Sequence, residues 1–164
     1  MDNGNVLHAS RDDVHVLRYI GDIRYTLSPS IDRYLDEIFA RSEPTGFVID
    51  LTETDSIDST NLGLLARLAT RMQRPGAGRV TVVSSRPDIN AVLNSMALDE
   101  VFDIVEDTCL ETDATRQVPQ ENTDRETLAR TLIDAHRALM DLNEHNREMF
   151  SDVVTTLEKN ASSG

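Results

Sequence analysis

The run Phe47-Val48-Ile49-Asp50-Leu51 constrains the fold more than any other part of this 164-residue chain. It is nearly all apolar and of strand length, so it reads as an interior strand covered on both faces. A strand covered twice needs helices beside it, and the flanking sequence supplies them. Upstream, Val14-His15-Val16-Leu17-Arg18-Tyr19-Ile20 is β-branched and aromatic and ends at Gly21-Asp22, which predicts a strand and a turn. Asn5 to Ala9 predicts a short strand paired with it through a turn at Arg11-Asp12-Asp13. Ser28 or Ser30 is placed to cap a helix on which Ile31, Tyr34, Leu35, Ile38 and Phe39 recur at helical spacing, ended by Glu43-Pro44-Thr45-Gly46.

Downstream, Leu62, Leu64, Leu65, Leu68, Ala69 and Met72 form a buried helix face that Arg74-Pro75-Gly76-Ala77-Gly78 closes. Val80-Thr81-Val82-Val83 is another strand. Pro87 opens a helix over Asp88 to Met96, and Val101-Phe102-Asp103-Ile104-Val105 is a last short strand. Strands alternating with helices over about a hundred residues predict an α/β domain with a largely parallel sheet.

Glu106 to Asn122 has few apolar residues and contains Pro119, so it reads as a linker. Thr123-Asp124-Arg125-Glu126 then matches a capping box, in which the threonine hydroxyl satisfies a helix amide and the glutamate reaches back. Leu128, Leu132, Ala135, Leu139, Leu142, Asn146, Met149 and Val153 follow at alternating spacings of four and three, a heptad seam. The division predicted is a domain over 1–107, a linker over 108–122 and one amphipathic helix over 123–159, about 50 Å long at 1.5 Å per residue. Seam positions Leu132, Leu139, Leu142, Asn146, Met149 and Val153 suit self-association, with Asn146 fixing register against its counterpart across a homodimer interface. Ile133, Met140, Phe150, Val154 and Leu157 widen the stripe, which equally suits a helix that folds back over its own domain or docks a partner.

The formal net charge of −13 argues against direct nucleic-acid binding, because phosphate contacts need a basic patch. No apolar run approaches the length of a membrane span, the N-terminus lacks the basic and apolar regions of a signal peptide, and Cys109 is the sole cysteine. Together these predict a cytoplasmic protein. The sole lysine, Lys159, stands near the C-terminus, which removes a P-loop or Schiff-base lysine from the body and rules out a phospho-receiver domain.

Enzymatic motifs are wanting. Gly76-Ala77-Gly78 reads as a turn. Ser59 lacks the flanking glycines of a nucleophile elbow and has no histidine placed to activate it. His136 and His145 are nine residues apart, do not match a metal pair, and read as solvent-facing. Cys109 has no activating neighbour and reads as inert. The expectation is a protein with no catalytic residues, no metal and no cofactor.

The segment Ile57-Asp58-Ser59-Thr60-Asn61-Leu62-Gly63 follows the interior strand and opens a helix. The first amides of a helix lack internal partners, so a serine here is ordinarily a cap, and the same place stabilises a phosphate once one is attached. Gly46 to Leu51, this loop, Arg79 to Val83, Val92-Leu93 to Leu98 and Phe102 to Val105 together resemble the STAS family over about residues 5 to 107, with Asp-Ser-Thr-x-Leu-Gly as its signature. The resemblance implies a four- or five-stranded mixed sheet flanked by helices. It also implies an anti-sigma-factor antagonist in a partner-switching pathway. Such a protein binds an anti-sigma factor, often a histidine-kinase-like serine kinase, lets go once the loop is phosphorylated, and is reset by a phosphatase of the PP2C type.

Ser59 then matches the phosphoacceptor, with Thr60 the alternative, and Asp58, Ser59, Thr60, Asn61 and Leu62 match the partner-binding loop. Asn61 stands where the family commonly has glycine, the least disruptive replacement if a left-handed backbone is needed. Two other readings stay open: a STAS accessory subunit of a lipid-transport ATPase, and a structural dimer module.

Overall fold

The computed structural model describes residues 4–107 and 113–162, with Cys109 outside that range. Two strands, β1 (Asn5–Arg11) and β2 (Val14–Ile23), form an antiparallel hairpin. Asp12 and Asp13 turn it with φ of 54° and 62°, a left-handed pair that aspartate tolerates through local side-chain bonding. Next come α1 (Ser28–Arg41), β3 (Gly46–Asp50), β4 (Thr54–Ile57), α2 (Ser59–Arg71), β5 (Thr81–Val83), α3 (Pro87–Ser95), β6 (Asp103–Val105) and β7 (Arg116–Gln117). Two helices close the chain, α4 (Arg125–Met140) and α5 (Glu144–Ser162).

The strands run β6-β5-β3-β2-β1-β7 across one mixed sheet, and β4 pairs with β2 off that path. β2 pairs in parallel with β3 through Val14 to Arg18 and with β4 through Gly21 to Ile23. Phe47, Val48 and Ile49 are all buried, as an interior strand covered on both faces requires. The mixed α/β sheet is therefore present, with seven strands where four or five were expected. The additional ones are β4, whose middle residues are exposed and mask its strand character, and the two-residue β7. β7 lies in the segment read as a linker, where Val118 joins the core at 3 % exposure.

Neither serine caps α1. The Ser28 hydroxyl donates to the Tyr25 carbonyl at 2.6 Å, and Ser30 accepts from the Glu121 amide at 3.0 Å, which pins the segment before α4 to the body.

The single helix expected over 123–159 is two helices. The break spans Asp141 to Asn143, where Asn143 Oδ1 accepts from the Asn146 amide at 2.7 Å and starts α5. The cap of α4 is Asp124 rather than Thr123, its carboxylate accepting from the Thr127 amide at 2.7 Å. A three-residue connection makes the pair a hairpin, and α4 lies against α2 while α5 lies against α4. The seam is not continuous through this turn. Leu139 and Asn146 are fully buried, Leu132 and Leu142 are half-buried, and Met149 and Val153 are exposed. Asn146 finds its counterparts in its own chain: Nδ2 donates to the Met96 carbonyl at 2.8 Å and to the Leu139 carbonyl at 3.0 Å. Phe150 and Val154, beside the seam rather than on it, are the buried apolar residues of α5.

Asn146→Leu fits the volume but takes the Nδ2 donor from the Met96 carbonyl, while the Leu139 carbonyl keeps the Leu142 amide at 3.2 Å. Thermal unfolding is expected to show a loss of about 1–3 kcal/mol for the unsatisfied group.

Between β1, β2 and α1, His8 Nδ1 meets the Tyr34 hydroxyl at 2.6 Å and His8 Nε2 meets His15 Nδ1 at 2.9 Å. Desolvation first, then the charges of His15, Arg116 and Arg41, lower the His8 imidazole to about 4. The folded state thus favours neutral His8, and the unfolded chain binds the proton more readily between about pH 6.5 and 4. Stability therefore falls as pH drops through that window. A melting series from pH 7 to pH 4.5 is expected to show the fall, and His8→Gln is expected to flatten it.

Candidate functional site

The signature loop sits where β4 hands over to α2. The Asp58 amide donates to the Ile23 carbonyl at 3.2 Å, tying the helix start to the far end of β2. Asp58 has the extended backbone of a capping residue, and its Oδ1 accepts from both the Asn61 amide and Asn61 Nδ2 at 3.0 Å. With Asp58 as the cap, Ser59 is the first helical residue and its hydroxyl is released from capping.

Thr60, Asn61 and Leu62 are buried at 4 %, 1 % and 0 % exposure, so only Asp58 and Ser59 of the five expected binding residues reach the surface. Asn61 lies within α2 and is not among the non-glycine residues with positive φ. The loop therefore makes no left-handed demand at that position. Its extra carbonyl has a cost: Asn61 Oδ1 is buried without a hydrogen-bond partner among the described residues.

Ser59 has a partner that its sequence neighbourhood does not reveal. His136 Nε2 lies 2.9 Å from Ser59 Oγ, and His136 Nδ1 lies 2.7 Å from the Leu132 carbonyl. A carbonyl only accepts, so Nδ1 carries the proton and Nε2 is the acceptor. The Ser59 hydroxyl therefore donates to His136. Far from facing solvent, His136 is 4 % exposed and stacks obliquely on Phe150, their ring centroids 5.3 Å apart. The signal for this was present: His136 stands four residues after Leu132 and three before Leu139, on the apolar side of its helix.

A second close approach lies one turn further along α2. A Cβ on Gly63 would collide with the backbone of Ala135, its carbonyl above all. Glycine at this point lets α4 lie directly on α2, and the residue before His136 makes that contact. The rim carries charge as well. Asp22 lies on β2 beside the loop, held below the usual carboxylate range first by the Ser56 hydroxyl and then by Arg24. Arg86 Nη1 donates to the Thr54 carbonyl at 2.8 Å and so braces β4.

Because Asp58 satisfies the Asn61 amide, Asp58→Ala is expected to lose about 1 kcal/mol, a drop of about 2–4 °C in the melting midpoint, with Asp58→Ser restoring most of it.

Among solved structures, an anti-sigma factor antagonist from Mycobacterium paratuberculosis superposes with a TM-score of 0.57 at 23 % identity, over 64 % of this chain and 87 % of that one. The anti-sigma factor antagonist SpoIIAA in its unphosphorylated form superposes with a TM-score of 0.53 at 15 % identity, over 60 % of this chain and 87 % of that one. Both likenesses are of fold. No curated protein matches the chain. The STAS domain family model matches residues 6–112, from the start of β1 to beyond β6 and including the whole loop. On that match, the chain belongs to the STAS domain family.

Proposed function

We propose that this protein is an anti-sigma-factor antagonist of a partner-switching pathway, with Ser59 as the residue whose phosphorylation controls binding. The observation that carries the reading is the division of labour at the start of α2. Asp58 takes the cap, which spares the Ser59 hydroxyl from capping and leaves its bond to the His136 imidazole, at a helix end whose amides favour negative charge. Burial supports Ser59 over Thr60, since Thr60 is 4 % exposed and Ser59 lies nearer the surface. That two solved anti-sigma factor antagonists share the fold is consistent with the role.

The mechanism is electrostatic. Unphosphorylated, the Asp58–Ser59 surface meets an anti-sigma factor, a serine kinase of the histidine-kinase-like class. A phosphate adds nearly two negative charges to a face that already carries Asp58, in a chain of net charge −13. Repulsion and desolvation then dissociate the complex, and a PP2C-type phosphatase resets it. In this reading the chain itself performs no chemistry.

Mass spectrometry on the protein recovered from its own cells is expected to place phosphate on Ser59, and Ser59→Ala is expected to abolish it. A kinase-fold ATPase is expected to co-purify with wild type and Ser59→Ala but not with Ser59→Asp. Phosphate confined to other residues, or equal recovery with all three forms, overturns the proposal.

A further inference from the structure

The face of α2 that carries Ser59 is occupied. Ser59, Gly63, Ala66 and Thr70 recur along one side of α2 at helical spacing, and α4 is laid over that side through the Ser59–His136 hydrogen bond and the Gly63–Ala135 contact. Thr131, Ala135, His136 and Leu139 of α4 are buried. A phosphate on Ser59 breaks its bond to His136, whose imidazole is itself enclosed, while the two helix backbones meet one turn away.

Three observations mark this cover as a separable piece rather than part of the body. The family match ends at residue 112, before either helix. The covered side of α2 consists of small and polar residues, whereas Leu62, Leu64, Leu65 and Leu68 are fixed in the core; the apolar residues that uncovering exposes include Ala135, Leu139 and Phe150 of the hairpin itself. The attachment is also narrow. Val118 and Glu121 are pinned to the body, which leaves Asn122 and Thr123 as the hinge ahead of the Asp124 cap, and opening also breaks the bond from Asn146 to the Met96 carbonyl.

We infer that the α4–α5 hairpin is an intramolecular occupant of the partner-binding face of α2, latched by Ser59 and His136, and that a partner reaches Ser59 only when the hairpin swings away. The cover also indicates what fits the face. Its occupant is an α-helix with a small residue against Gly63 and a hydrogen-bond acceptor opposite the Ser59 hydroxyl, and the partner element has the same form. This inference rests on the reading of Ser59 as the control residue. The test is chosen to be independent of any kinase.

Hydrogen–deuterium exchange is measured on the full chain, for wild type, Gly63→Ala and His136→Ala. Gly63→Ala places a methyl against the Ala135 backbone while alanine favours α2 itself. His136→Ala removes the latch without adding an atom. In both variants, α4 and α5 are expected to exchange at least about tenfold faster, together, while β3 and β5 keep their protection. Unchanged exchange in the hairpin overturns the inference. So does loss of protection in the sheet along with the hairpin, including outright failure to fold, since the hairpin would then be structural core. If Ser59 is the phosphoacceptor, its phosphorylation in the native cells is expected to rise severalfold in both variants. Faster hairpin exchange with no phosphate on Ser59 would sink the proposed function and leave the moving cover standing.

Discussion

The site depends on one long strand. β2 is ten residues long, and its two halves accept different parallel neighbours, β3 first and β4 from Gly21 onward, with an irregularity between Gly21 and Asp22. Because β4 is set against the end of β2, the next residue, Asp58, meets the Ile23 carbonyl and α2 must begin there. Everything at the site follows from that placement: the cap at Asp58, the position of Ser59, and the line along which α2 crosses the sheet. A shorter β2 would leave the loop after β3 without an anchor.

Local chemistry made the loop and most of the sheet readable from the residues. A continuous apolar strand such as Phe47 to Leu51 has few interpretations, and a run of leucines at helical spacing after Asp58-Ser59 has fewer. What escaped was decided at a distance. Thr54-Asp55-Ser56-Ile57 has buried residues only at its ends, so its pairing is dictated by the length of β2 rather than by its own composition. The Ser59–His136 bond joins residues 77 apart, and no local pattern announces it.

The C-terminal segment shows a different kind of error. Its four-three spacing runs unbroken through Asp141, Leu142 and Asn143, and neither glycine nor proline marks the break. The turn is made instead by Asn143 capping the next helix, a weak signal that the periodicity overrode. Asn146 is fully buried, as a register-fixing asparagine would be. Its partners are two carbonyls of the same chain rather than a second copy.

That α4 and α5 follow the family-matched body in chain order also bears on how the protein is made. Synthesis proceeds at about 5–20 residues per second and domains fold as units, N-terminal part first. The roughly forty residues of the hairpin therefore leave the ribosome over about 2–8 seconds after the sheet and α2 have emerged. During that interval the nascent chain presents an uncovered Ser59 to whatever stands beside the ribosome. Each molecule thus has one early interval in which Ser59 stands uncovered, before its C-terminal helices arrive.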